Sequence, residues 1–316
     1  MSDNIIEIAK ETVAPGQLRR FELPVSRLAT QTLVSLPVTV INGVESGQIL
    51  WLSAAIHGDE LNGVEIIARV LDKIDPQKLR GTIIAVSIVN VFGFLEQSRY
   101  LPDRRDLNRS FPGSETGSLA SRLAHLFMRE IVDRSTYGID LHTAAVHRIN
   151  LPQIRANLED ETTYNCAKAF GAPLMIHSTT RDGSLRQAAT KKGIPVLLYE
   201  AGEALRFDPL AIEVGVAGIF GVMKHLEMYD DELAPTVGQS LRATKTRWIR
   251  ASCAGIFHLL VNLGDRVSKK QELGYITNAF GEKRVPIRAK IEGVVIGHLQ
   301  NPLVNQGDAI IHIAIL

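Results

Sequence analysis

Apolar and polar positions alternate through LRRFELPVS and TLVSLPVTVING, within residues 17–45, which predicts strands joined by turns. From GQILWLSAAI (47–56) the period changes to strand followed by helix. GVEIIARVLDKI places Val64, Ile67, Val70, Leu71 and Ile74 at helical spacing. GTIIAVSIV is a continuous apolar run suited to a strand covered on both faces. Helical spacing returns in SLASRLAHLFMREIV through Leu119, Leu123, Leu126, Phe127 and Ile131. YGIDLHTA, APLMIHST and IPVLLYEAG read as three more strands separated by helical or irregular segments, and DPLAIEVGVAGIFGVMKHLEM as a closing helix. This alternation predicts an α/β fold, a mixed and mainly parallel sheet with helices on both faces.

The pattern changes again at DDELAPTVGQS, residues 230–240, read as a linker between a first domain, 1–229 (with an N-terminal β segment, 1–45), and a second, 241–316. Beyond it, short apolar runs alternate with turns, among them Gly264-Asp265 and Gly307-Asp308. A small all-β, barrel-like domain is expected there.

Composition narrows the function classes. Lys and Arg number 35 against 34 Asp and Glu, a formal charge of +1, so a general basic field for nucleic acid is absent. The N-terminal residues carry no signal-peptide pattern, and no apolar run approaches a membrane span. Two cysteines, Cys166 and Cys253, are too few for a disulfide framework or a thiolate metal site, consistent with a cytoplasmic protein. A homo-oligomer is compatible with all of this.

Ligands of open α/β sheets collect beyond the carboxyl ends of the strands. There the sequence places His57 and Glu60 after Ile56, His142 within YGIDLH, and Glu200 after IPVLLY. A helix starting at His57 would put His57 and Glu60 on one face. Two His and one Glu match a catalytic zinc site with its fourth position open to water, whose pKa zinc can lower to about 7. On its own an HxxE pair is more often capping or solvated; a second imidazole at another strand end raises the metal reading. His147 and His177 lie near strand ends as further pocket candidates. His125, His225, His258, His298 and His312 fall in apolar or solvent-facing patterns that suit structural roles.

QSRYLPDRRDLNRSFPGSE, residues 97–115, is long, polar and without periodicity, as functional loops often are. An arginine there can hold a carboxylate at two points, with Asn108 beside it to fix orientation. The residues alone do not choose among Arg99, Arg104, Arg105 and Arg109.

HGDE, then DLNRSFPG, DLHTA and EAGE, in this order, resemble the succinylglutamate desuccinylase/aspartoacylase family, which is related to the zinc carboxypeptidases. The resemblance covers roughly residues 45–228 and extends into the C-terminal β part. It implies a zinc-carboxypeptidase-like fold and one Zn2+ per chain on His57, Glu60 and His142. Glu200 matches the family's general acid/base, Asn108 and Arg109 the pair that grips the substrate carboxylate, and Arg99 the arginine that holds the developing oxyanion. Asp140, on the same strand face as His142, is expected to orient a ligand. The implied function is a deacylase that hydrolyses the amide bond of a small N-acyl amino acid. The alternatives are a zinc carboxypeptidase acting on peptide C-termini, an esterase, or a metal- or metabolite-binding protein without catalysis. Departures remain: Tyr275 is the sole tyrosine of the C-terminal part and suits β packing better than a pocket role, and Arg181 and Arg186 are further candidates for a substrate acid. HLLVNLGDRVSKKQELGYI and IRAKIEGVVIGHL resemble half-motifs of biotinyl and lipoyl carriers. Lys283 and Lys290 lack the carrier-lysine context, so a wall or lid over the catalytic domain is expected instead.

Overall fold

The computed structural model describes residues 4–230, 232, 234 and 240–316, so most of the expected linker lies outside the described residues. A short hairpin, β1 (Ile6–Ile8) with β2 (Glu11–Val13), precedes the long antiparallel pair β3 (Gln17–Arg27) and β4 (Leu33–Asn42). The alternating burial of β4 matches its alternating sequence. Next come β5 (Glu45–Ala54), α1 (Asn62–Lys73), β6 (Arg80–Val86), the short α2 (Val91–Leu95), α3 (Leu119–Glu130) and β7 (Tyr137–Ala144). These are followed by β8 (Arg148–Ala156), α4 (Glu161–Phe170), β9 (Leu174–His177), α5 (Leu185–Thr190), β10 (Val196–Glu203) and α6 (Pro209–His225).

At the centre, β6, β5, β7 and β10 run parallel in that spatial order. β4 joins one side of this block and β8 the other, both antiparallel, so the sheet is mixed. Strand β8 was not expected from the sequence. Its residues RINLPQIRA carry Pro152 and several polar groups, a weak strand signal, yet β10, β9 and the C-terminal strand β17 (Gly293–Leu299) all pair with it.

Helices cover both faces. Ile66, Ile67 and Val70 of α1, Phe170 of α4 and Ile219 and Phe220 of α6 pack with Leu50, Leu52 and Ile139 on one side. Leu123 and Phe127 of α3 and Leu185 and Ala189 of α5 pack with Trp51, Ile84 and Val86 on the other. Trp51 lies flat against Gly138 of the neighbouring strand, where a Cβ would come within 2.1 Å of the indole.

The C-terminal strands are β11 (Leu241–Ala243), β12 (Lys245–Arg250), β13 (Gly255–Leu259), β14 (Arg266–Val267), β15 (Glu272–Thr277), β16 (Arg284–Arg288), β17 (Gly293–Leu299), β18 (Leu303–Val304) and β19 (Ala309–Ile315). β13, β15, β16 and β18 form a four-stranded antiparallel sheet. β12, β19 and β17 instead prolong the large sheet beyond β8, and with β9, β11 and β14 attached at its side it has 13 strands among the described residues. Ile249, Val295, Ile311 and Ile313 of these strands share a core with Phe257, Leu273, Ile276 and Ile287 of the smaller sheet. The all-β part is therefore hydrogen-bonded into the α/β part. Among the described residues, no helix is long and apolar enough to cross a membrane.

Candidate metal centre and catalytic cavity

The apolar strand β5 ends at Ala54, and the chain turns before α1 begins at Asn62. His57 and Glu60 lie in this turn, closed by a hydrogen bond from Glu60 N to His57 O at 3.1 Å. The turn, not a helical face, brings their side chains together, which corrects the helix-based reading. Gly58 permits the arrangement: a Cβ there would sit 2.0 Å from the carbonyl carbon of Gly93 in α2.

Glu60 is the hub, with His57 Nδ1 at 2.7 Å from its Oε1 and His142 Nδ1 at 2.7 Å from its Oε2. The backbone N–H of Thr143 donates to Oε2 at 3.1 Å. Each imidazole is held from behind by a carboxylate. His142 Nε2 lies 2.9 Å from Asp140 Oδ2, and His57 Nε2 lies 3.3 Å from Asp106 Oδ1. Asp140 is itself fixed by Ser53 Oγ, which donates to it at 2.8 Å from the next strand. Asp106 also receives Arg99 Nη2 at 2.9 Å and the backbone N–H of Asn108 at 2.8 Å.

Burial strongly opposes charge on Glu60, yet the two imidazoles outweigh it and hold the carboxyl far below its ordinary range. Burial likewise opposes protonation of His142, but Asp140 and Glu60 push its pKa well up. His57 is raised in the same way, against burial, by Glu60 and Asp106. The site thus concentrates negative charge that calls for positive charge in a dry setting. One ligand atom each from His57, Glu60 and His142 lies within 4.8 Å of the others. Two imidazoles with carboxylates behind them, which would be neutral once a cation replaced their protons, plus one carboxylate, are the residue types that hold a catalytic metal such as zinc. These residues fit a metal ion.

Strand register adds Glu200. Parallel pairing of β7 and β10 aligns His142 with Glu200. Asn150 Nδ2 of β8 donates to Glu200 Oε2 at 2.8 Å, and Arg155 Nε lies 3.9 Å from its Oε1. His57, Glu60, His142, Glu200, Arg99, Asn108 and Arg109 all line one cavity of about 450 Å³. Asn108 has its Oδ1 engaged by the backbone N–H of Leu185 at 2.9 Å, so its amide nitrogen is the end left for a ligand.

The same cavity holds Arg181 and Arg186, along with Arg148 and Arg155, which the sequence had not singled out. Burial and the neighbouring Arg155 bring the Arg186 pKa down to about 10, while the carbonyls of Ser178 and Thr179 accept its N–H groups. Thr246, Trp248 and His312 of the C-terminal strands form another wall. His312 was expected to be structural. Instead it stacks on Trp248, centroids 4.3 Å apart, and faces the cavity, while burial and then Arg155 and Arg148 depress its pKa to about 3. His147 and His177 do not line this cavity. Tyr275 stacks with His258 at 4.6 Å in the small sheet, away from it. Asp106 lay inside the DLNR motif, whose spacing after Arg99 was its available signal. Asn150 had no local signal.

Residues 46–226 match the family described as "Succinylglutamate desuccinylase/Aspartoacylase catalytic domain". The chain belongs to this family. Among its relatives is the N-alpha-acetyl-L-2,4-diaminobutyric acid deacetylase of Halomonas elongata, 27% identical over 295 residues, 89% of this chain and 86% of that protein. The succinylglutamate desuccinylase of Pseudomonas aeruginosa is 30% identical over 208 residues, 59% of this chain and 56% of the relative. The fold is shared with a family structure described as the product-bound ectoine utilization protein EutE (DoeB) of Ruegeria pomeroyi, with a TM-score of 0.86 at 22% identity over 100% of both chains. It is also shared with a succinylglutamate desuccinylase/aspartoacylase of Rhodobacter sphaeroides, with a TM-score of 0.83 at 24% identity, covering 97% of this chain and 98% of that one. Relatives within the family are thus hydrolases that remove acyl groups from amino acids.

Proposed function

We propose that the chain is a zinc-dependent amidohydrolase that removes the acyl group from a small N-acyl amino acid. One observation carries this reading: the His57–Glu60–His142 cluster and Glu200 converge on a single cavity from separate strand ends. A metal ion on His57, Glu60 and His142 supplies Lewis-acid polarisation and a water of lowered pKa. Glu200, which lines the same cavity, takes the proton from the attacking water and returns it to the leaving amine. Arg99 offers guanidinium N–H groups to the oxyanion while Asp106 fixes its position. Arg109, with the free amide end of Asn108, takes the substrate carboxylate.

Charge supports a small anionic substrate. Arg99, Arg109, Arg148, Arg155, Arg181 and Arg186 line the cavity against Glu60 and Glu200. Trp248 and His312 close one side, which disfavours a long peptide and sets the deacylase reading above the carboxypeptidase one.

Elemental analysis together with a panel of N-acetyl and N-succinyl amino acids tests the proposal. One zinc per chain is expected, with hydrolysis of at least one panel member and loss of turnover in Glu200→Gln despite retained metal. Zinc-loaded protein inert across the panel, or full turnover in Glu200→Gln, overturns it.

A further inference from the structure

Glu200 is aimed by a group outside its own strand. Its Oε2 accepts from Asn150 Nδ2 at 2.8 Å, whereas Arg155 stands off at 3.9 Å from the other oxygen. A carboxylate that must take up a proton and then deliver it works from a fixed position, since a misplacement of about 1 Å can cost about 10²-fold in rate. Asn150 is buried, and its opposite end meets the C-terminal strands. In the antiparallel pairing of β17 with β8, Gly297 sits directly across from Asn150.

A Cβ on Gly297 would lie 2.8 Å from Asn150 Oδ1 and 3.0 Å from the carbonyl oxygen of Ile149. Glycine inside a strand weakens it and often marks a close approach by another group. Here the approaching group is the Asn150 amide. Of the two contacts the side-chain end yields more readily than backbone, so any larger residue at 297 turns the amide that Glu200 depends on.

We propose that Asn150 is a positioning residue for Glu200 and that Gly297 provides the seat in which Asn150 stands. Through this contact the C-terminal strands control proton transfer, although the proton-transferring carboxylate lies on β10. The inference rests on the reading of Glu200 as that carboxylate.

The test uses the zinc-loaded full chain in four forms: Asn150→Ala, Gly297→Ala, the double variant and Glu200→Gln. Crystal structures of the two single variants are expected to show the Glu200 carboxylate displaced. On the panel substrate that wild type hydrolyses fastest, each single variant is expected to lose about 10- to 100-fold in kcat, with KM within about twofold and zinc content unchanged. The double variant should be no slower than the slower single one, because both changes act through one amide. A purely structural role would lower Tm or zinc content without this split between kcat and KM.

Glu200 in its wild-type position in both crystal structures, unchanged kcat in both single variants, or fully additive losses overturns the inference. Gly297→Ala keeps it falsifiable where Asn150→Ala does not fold. Full turnover in Glu200→Gln would instead sink the underlying reading of Glu200. Loss of turnover there, with Asn150→Ala unaffected, sinks only the positioning role.

Discussion

His142 Nε2 lies 2.9 Å from Asp140 Oδ2, a contact made within one strand because residues two apart share a face. It leaves Nδ1 turned toward Glu60, and a partner of this kind would orient the ring for a metal held by His142 and Glu60. Asp140→Asn should therefore lower zinc affinity about 10- to 100-fold, read by chelator competition. An unchanged affinity would show that the ring needs no such partner.

Gly58→Ala tests how the metal turn is built. Its Cβ would overlap the Gly93 backbone at 2.0 Å, a clash that no rotamer relieves. A loss of about 1–3 kcal/mol in urea unfolding is expected, together with reduced zinc content. Wild-type values for both would mean that the turn and α2 separate easily.

His312 makes stability depend on pH. Its folded pKa of about 3 lies below the ordinary 6.5, mainly through burial. Below pH 6.5 the unfolded chain takes up a proton that the folded chain refuses. The stability tied to a neutral His312 is thus complete above pH 6.5 and declines as pH falls toward 3, by up to about 1.4 kcal/mol per pH unit. His312→Gln should flatten the wild-type urea midpoint curve between pH 6.5 and 5. Parallel curves would contradict this assignment.

The two thiols should differ in reactivity. Cys166 is buried, and burial followed by the charge of Asp160 pushes its pKa up to about 11, so little thiolate forms at pH 8. Cys253 is only partly buried. Peptide mass spectrometry after iodoacetamide treatment at pH 8 should find Cys253 modified and Cys166 intact until the chain unfolds. Native modification of Cys166 would show that this core opens.

Local periodicity and strand-end chemistry made much of the molecule legible in one dimension. Apolar runs ending in His57, His142 and Glu200 marked both the strands and the place where a site had to form. Asp140 followed from strand period alone. What local pattern could not carry were contacts between distant segments. β8 is a poor strand by composition and exists because three other strands pair with it. Asp106, joining Arg99 to His57, has a meaning only once the loop is folded against the metal turn.

The sequence by itself determined the α/β order, the ligand types and the strand ends that carry them, since these depend on neighbours within a few residues. Tertiary structure alone decided that a turn rather than a helix face joins His57 to Glu60, that His312 reaches the cavity, and that Gly297 stands against Asn150. Those outcomes depend on register and close packing between segments up to 151 positions apart, as in the pairing of Leu299 in β17 with Arg148 in β8, and no local pattern encodes that register.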